Sequence, residues 1–305
     1  MNILIIGLGS IGERHINAIK SIISQATIFA LRSGNNSKKY PDVTDIYHLD
    51  EISTINIDFA IISNPTAEHK KTIENLTKYD FPLFIEKPLC SSLDIEDLIQ
   101  SVYSKGIKTY VACNLRFLDC IRFIKDMAPL TSKKRLNEVN VYCGSYLPLW
   151  RPKIDFRNTY SVNPELGGGV NIDLIHELDY LYWIFGIPKE IIRIFRSQSS
   201  LSISAIDYSN YILDYNSFCA NIVLNYYRRD PKRSLELVFE DETWNVDLLK
   251  NLITCNKETI FSSEQRIPDT YLIQMEYFIN CLKTNNKTFN NISDAYNVLK
   301  ICIEE

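Results

Sequence analysis

Glycine is scarce in this chain, and its placement restricts the fold more than any other feature. There are ten glycines among 305 residues, well below the usual ~7%. Six of the ten fall in two clusters, Gly7, Gly9 and Gly12, then Gly167, Gly168 and Gly169. The first cluster follows residues 2–7 (NILIIG), an apolar run suited to a strand buried on both faces of a parallel sheet. Residues 11–23 come next and place Ile11, His15, Ala18, Ile19, Ile22 and Ile23 on one side of a helix. Gly7-Leu8-Gly9-Ser10-Ile11-Gly12 is therefore a GxGxxG at a strand-to-helix turn. In that setting the first glycine permits the turn, the second lets backbone approach a pyrophosphate, and the third lets helix pack on strand. The helix N-terminus offers N–H groups to the anion. A ligand-free glycine turn is the competing reading, and it would not need all three spacing conditions.

The same alternation continues. Strands are expected at 26–31, 57–63, 82–86 and 108–113. A helix capped by Thr66 runs to 76, and another starts at a capping-box-like Ser91 and Asp94 and ends before Gly106. This β-α-β order over the first ~115 residues implies a doubly wound, mostly parallel sheet. At the end of the second strand, NAD-binding units usually carry Asp or Glu for the ribose hydroxyls. Here Leu31, Arg32 and Ser33 stand instead, followed by Lys38 and Lys39. An arginine and a hydroxyl suit a 2′-phosphate, so NADP is favoured over NAD. Arg32 could otherwise be solvated, or stack on the adenine.

Composition narrows the class. Lys plus Arg is 33 and Asp plus Glu is 37, a formal charge of −4. That balance gives no general attraction to nucleic acid or anionic membrane. No apolar run approaches the ~18 residues of a membrane span, and residues 1–9 lack the features of a secretory signal. Eight scattered cysteines form no CxxC pair. They read as reduced thiols of a cytoplasmic protein, and the Asn-x-Ser/Thr triplets at Asn35, Asn75, Asn286 and Asn291 as chance matches. No metal-ligand spacing and no Ser nucleophile elbow occurs.

Four further segments carry a resemblance. Asn64-Pro65-Thr66-Ala67-Glu68-His69 follows the strand at 57–63, and Glu86-Lys87-Pro88 follows the strand at 82–86. Asn114-Leu115-Arg116-Phe117 precedes a block running from Gly167-Gly168-Gly169 through Asp173 and His176 to Asp179. With the glycine turn, these segments resemble the glucose–fructose oxidoreductase/inositol dehydrogenase/rhizopine catabolism (Gfo/Idh/MocA) family. The resemblance covers the first half of the chain well and fades beyond about residue 190. It implies an α/β protein: an N-terminal Rossmann domain, residues 1–117, and a C-terminal α+β domain, residues 118–305, built on a large, mostly antiparallel open sheet. The last helix can pack back on the Rossmann domain. It also implies hydride transfer between NAD(P) and a sugar or polyol hydroxyl, with cofactor at the domain crevice, and a homo-oligomer, dimer or tetramer, formed through the open sheet.

The residues support the same chemistry. Lys87 ends a parallel strand, where ligands collect in open α/β sheets, and Pro88 restricts it to extended geometry. There it can stabilise charge developing on a reacting oxygen; the bland reading is a surface lysine. Asp173 and His176, three apart on an expected helix, suit a base and the carboxylate that orients it. Many family members space this pair by four, which makes Asp173 the weaker assignment. The bland reading is an acidic first turn beside a satisfied histidine. His69 is either near the cofactor or a capping residue, and His15 and His48 have no constellation, His15 simply packing on the sheet.

Residues 146–161 mix Tyr146, Trp150, Phe156 and Tyr160 with Arg151, Lys153 and Arg157 and show no helical or strand period. A long ordered loop of aromatics and cations suits a sugar ring bearing an acidic group; otherwise it lids the core or contacts a second subunit. The resulting assignment places cofactor contacts at Gly7, Gly9, Ser10, Ile11, Gly12, Arg32, Ser33, Ser63, Asn64, Pro65, Thr66, His69, Glu86, Lys87 and Asn114. Substrate contacts fall at Arg116, Trp150, Arg151, Arg157, Tyr160, Asp173 and His176, with Lys87, His176 and Asp173 catalytic. The expected substrate is an anionic sugar derivative: a nucleotide sugar, sugar phosphate or sugar acid. A non-catalytic dinucleotide-binding regulator on the same fold is the alternative. A member that retains its cofactor and does net non-redox chemistry is a third.

Overall fold

The computed structural model describes residues 1–34, 38–131 and 134–303. Two compact units divide the chain. The first comprises Met1–Cys113 and Tyr271–Leu299, the second Asn114–Thr270 and the stretch beginning at Lys300.

The first unit is a six-stranded parallel sheet. Its strands are β1 (Asn2–Ile6), β2 (Thr27–Leu31), β3 (Val43–Ile46), β4 (Phe59–Ile62), β5 (Leu83–Ile85) and β6 (Thr109–Val111), in the order β3-β2-β1-β4-β5-β6. Reversal of strand order beside β1 makes the switch point at which open α/β sheets bind ligands. Helices α1 (Ser10–Ile22), α2 (His69–Leu76) and α3 (Glu96–Ser104) connect the strands. β1, β4 and β5 are buried almost throughout, as strands covered on both faces must be. Two expected helix starts differ. Thr66 opens a short 3-10 turn, and α2 begins at His69. Ser91 and Asp94 do not cap α3, which starts after Ile95, and the Asp94 carboxylate accepts from Lys70 instead.

The second unit is an eight-stranded sheet. β7 (Leu136–Tyr146), β8 (Glu190–Arg196), β9 (Tyr208–Asp214), β10 (Cys219–Asn225), β11 (Tyr227–Phe239), β12 (Thr243–Asp247), β13 (Leu252–Cys255) and β14 (Glu258–Ser262) lie in the order β14-β13-β12-β11-β7-β10-β9-β8. Every pairing is antiparallel except β7 with β10. Burial alternates along β8 and β9, the mark of a sheet with one covered face. The unit also holds α4 (Asp119–Thr131), α5 (Val170–Asp173) and α6 (His176–Phe185). The expected single helix from the second glycine cluster is thus broken: Asp173 ends one helix and His176 opens the next. α7 (Thr270–Lys283) and α8 (Ile292–Cys302) follow, and most of both falls in the first unit. Among the described residues no helix is long and apolar enough to cross a membrane. All eight cysteines are free, and burial pushes the Cys90 and Cys120 thiols up to about 12, where they are not nucleophiles.

Candidate functional site

In the first unit the glycine turn is built for close approach. Gly7 has φ of 92°, and a Cβ there would stand 2.2 Å from the Asn64 nitrogen. The Ser63 hydroxyl donates to the Gly7 carbonyl at 2.8 Å and ties the ends of β1 and β4 together. Gly9, in contrast, has nothing within 4 Å of where a Cβ would be. It is the N-cap of α1 and offers no side-chain cap, so the first N–H groups of that helix have neither intrahelical partners nor a side-chain cap. A cavity of about 490 Å³ adjoins this turn, walled by Gly7, Arg32, Ser33, Asn64 and Pro65, as the sequence expects, and by Lys71 and Thr72, which it does not flag. An uncapped helix N-terminus beside basic side chains fits a dinucleotide phosphate.

Arg32 is only 8% exposed. Its Nη2 donates to the Lys38 carbonyl at 2.6 Å. The Asp45 carboxylate lies 3.4 Å from Nε, a contact without hydrogen-bond alignment, and neither Nε nor Nη1 has a hydrogen-bond partner. The carboxylate that the sequence lacks after β2 is thus supplied from β3, yet Asp45 is not on the cavity wall, whereas Arg32 is.

Lys87 follows β5, half-buried, and the Lys87–Pro88 bond is cis. Two expected cofactor contacts are engaged around it. The Glu86 carboxylate accepts from His15 Nε2 at 2.6 Å and from the Lys87 backbone N–H at 3.2 Å. The His69 ring is buried between the carbonyls of Pro88, Leu89 and Asn64 at 3.0 to 3.2 Å. His69 is therefore neither a surface nor a capping residue; its ring lies between the loop after Lys87 and the end of β4, and a neutral imidazole donates to one of the two sides. Burial holds its pKa below the ordinary 6.5 even though the carbonyls pull the other way.

In the second unit a cavity of about 280 Å³ is walled by Trp150, Asp173 and His176, together with Cys143, Gly144, Ser145 and Arg233. Asp173 accepts from two phenols, Tyr160 at 2.6 Å and Tyr226 at 2.5 Å. Burial, reinforced by that carboxylate, raises both phenol pKa values, so each stays a neutral donor. Gly168 makes the arrangement possible, since a Cβ there would meet the Tyr160 carbonyl at 2.1 Å. Trp150 donates from Nε1 to the Ser145 hydroxyl at 2.8 Å and stands edge-on to Tyr226. Tyr226 is a site residue that sequence reasoning missed; it reads there as one more strand aromatic.

Three expected contacts do not survive. Arg116 is 1% exposed, and its Nε and Nη2 bind the two oxygens of Asp179 at 2.9 and 2.8 Å. It is a core ion pair, not a substrate ligand. Asn114 donates to the Thr270 hydroxyl at 2.7 Å inside the second unit, because a buried amide needs a partner. Arg157 lies on the surface, 3.7 Å from the Asp155 carboxylate of its own turn and over the Phe156 ring. Arg151 is not on the cavity wall; its guanidinium stands 5.7 Å from the centre of the Tyr160 ring. Among the described residues no group of three or more His, Cys, Asp or Glu could hold a metal ion.

Comparison with known proteins bears on the fold. Residues 1–112 match the model of the GFO_IDH_MocA oxidoreductase family with NAD-binding Rossmann fold. That stretch, a little over a third of the chain, is similar to the NAD-binding Rossmann domain of that family. A relative, the uncharacterized oxidoreductase YrbE of Bacillus subtilis, is 26% identical over 206 residues, which cover 65% of this chain and 57% of that protein. The myo-inositol 2-dehydrogenase of Lactobacillus plantarum is 19% identical with a TM-score of 0.80, over 99% of this chain and 95% of that one. The WlbA dehydrogenase of Bordetella pertussis, solved with NADH and UDP-GlcNAcA, is 15% identical with a TM-score of 0.83, over 99% and 93%. These two structures show that the fold is shared along the chain.

Two stability predictions follow from the buried groups. Arg116→Met leaves the Asp179 charge uncompensated and costs about 3–5 kcal/mol by denaturant titration. Arg116→Met with Asp179→Leu recovers most of it, and no recovery would mean the pair is not what the single variant disrupts. The second concerns His69. Its folded pKa lies below the unfolded one, so the unfolded chain binds more protons as the pH falls under 6.5. The stability it contributes is complete above that pH and is lost progressively below it. The slope of Tm against pH between 7 and 5 should flatten in His69→Gln; an unchanged slope would refute it.

Proposed function

We propose that this protein is an NAD(P)-dependent oxidoreductase acting on a secondary alcohol or ketone of a sugar derivative. The observation that carries the reading is the cavity beside the first glycine turn, with Gly7, Arg32, Ser33 and Asn64 on its wall. A bound nicotinamide supplies the hydride acceptor or donor. Lys87 donates a hydrogen bond to the carbinol oxygen and stabilises the negative charge it develops. His176 takes the carbinol proton, or returns it in the reverse direction. Asp173, held by two phenols, fixes the wall on which His176 stands rather than acting as a simple partner three residues back. The dehydrogenases of this fold named above act on polyols and bind nucleotide sugars, which supports a sugar-type substrate. A neutral polyol needs no cation, whereas Arg151 beside Tyr160 favours an anionic substituent, now on one arginine rather than on the four cations of the sequence reading. The open face of the second unit exposes Ile192, Ile194 and Ile212, which supports the homo-oligomer reading.

For the cofactor, NADP is favoured. Burying a guanidinium with two unpartnered nitrogens is costly, and a 2′-phosphate would accept from Nη1 while Asp45 braces the opposite edge.

Fluorescence titration should therefore give tighter binding of NADPH than NADH. Arg32→Ala should weaken NADPH alone, by about 1.5–3 kcal/mol for a charge-assisted hydrogen bond. Equal affinities in the parent protein would reverse the assignment to NAD. Turnover is tested with a panel of neutral and anionic sugars under dye-coupled cofactor reduction. Lys87→Met should keep cofactor affinity and lose kcat by orders of magnitude, and His176→Ala should lose about 10²–10⁴-fold and flatten the pH–rate profile near neutrality. Cofactor binding with no turnover on any substrate would favour the regulatory alternative.

A further inference from the structure

The Lys87 assignment raises the question of what holds that residue, and the answer lies in a histidine that the sequence gives no role. We propose that His15 is a positioning residue for Lys87, acting through Glu86; this rests on the reading of Lys87 as the group that meets the substrate oxygen.

His15 lies in α1, fully buried. Its Nε2 donates to Glu86 Oε1 at 2.6 Å, and Glu86 Oε2 accepts the Lys87 backbone N–H at 3.2 Å. One carboxylate thus bridges an imidazole and the amide of the lysine. The ring sits edge-on to Phe84, two residues before Glu86 on the same strand, with centroids 4.9 Å apart, and Tyr271 closes another side at 6.5 Å. Nδ1 has no hydrogen-bond partner, so Glu86 is the imidazole's sole polar contact and the tautomer with hydrogen on Nε2 strands no donor. A buried carboxylate without such a donor would turn toward solvent or draw in water, and its hold on the Lys87 amide would go with it.

On the other side of the lysine, the His69 ring fastens the carbonyls of Pro88 and Leu89. The backbone is therefore fixed before and after Lys87 while its side chain remains half-buried. That is the pattern of a group whose position matters, since misplacement of about 1 Å at a reacting centre can cost about 10²-fold in rate. His15 is also one turn after Gly12 on α1. The helix that turns its N-terminus to the anion is the helix that steadies Lys87. A buried, satisfied histidine with a purely structural part is the rival account.

The test uses the full-length chain with His15→Ala, His15→Gln and Glu86→Gln. Cofactor affinity, kcat and KM are measured, and the Lys87 amine is followed by NMR after reductive ¹³C-methylation, its signal assigned by Lys87→Arg. His15→Ala should lower kcat by about 10²-fold with cofactor affinity and KM little changed, and should move the Lys87 signal and its titration. His15→Gln, whose amide nitrogen can occupy the Nε2 position, should restore most of both. Glu86→Gln, which loses the charge and offers an amide to a donor, should behave like His15→Ala. A folded His15→Ala with unaltered kcat and Lys87 signal overturns the proposal. So does a parallel loss of thermal stability, cofactor affinity and turnover in both His15 variants, which is the structural outcome. If His15→Ala does not fold, His15→Gln and Glu86→Gln decide: a Lys87 signal unmoved in Glu86→Gln overturns it. If the parent protein turns over no sugar, the enzymatic reading fails, and the Lys87 signal still reports whether His15 governs that amine.

Discussion

Gly7 and Asn64 meet so closely that no side chain could stand between them, and the geometry of the first unit is arranged around that contact. With a Cβ at 2.2 Å from the Asn64 nitrogen, any other residue at position 7 would push the ends of β1 and β4 apart. Those two strands are neighbours, and β1 is where the strand order turns back. The gap above them is the place an open α/β sheet keeps for a ligand. Gly12 is bound by the same constraint, since its Cβ would fall 2.7 Å from the Gly7 carbonyl. Gly9 alone of the three is not needed for packing.

This division among the three glycines shows how much the sequence discloses. The motif and the parallel strands of the first half are local patterns, and local patterns are legible. So were the residues walling the two cavities: Arg32, Asn64, Trp150, Asp173 and His176. What stayed hidden is whatever depends on a distant partner. Arg116 in the segment Asn114-Leu115-Arg116-Phe117 reads as a ligand cation, because Asp179 lies 63 residues away in sequence. Glu86 reads as a cofactor contact, because His15 is 71 residues earlier. β7 was missed since its eleven residues carry Asn, Glu and Gly among the apolar positions, and only pairing with β10 and β11 makes them a strand.

Histidine shows the limit most sharply. Each of His15, His69 and His176 is buried, and a lone histidine in a sequence has no sign to separate a satisfied core residue from a working one. His69 and His15 face the same short segment, Glu86 to Leu89, from α2 and α1. His69 meets backbone carbonyls there and His15 the Glu86 carboxylate, directional contacts that no residue count or periodicity carries.

A comparable logic governs α6, where two carboxylates reach in different directions. Glu177 holds Arg233 of β11 at 2.6 and 3.2 Å, and Asp179 holds Arg116. Burial opposes the charge on Arg233, but the Glu177 carboxylate outweighs it and keeps the guanidinium firmly protonated. Buried ion pairs contribute little net stability against apolar replacements of the same shape, while breaking one is severe. Their effect here is orientation. A helix as apolar as α6 could pack at several rotations about its axis, because hydrophobic contact is not directional. Only one rotation brings Glu177 to β11 and Asp179 to the 3-10 turn at 114–117. His176 is the first residue of that helix, so the rotation that satisfies both carboxylates is also the one that sets the imidazole on the cavity wall.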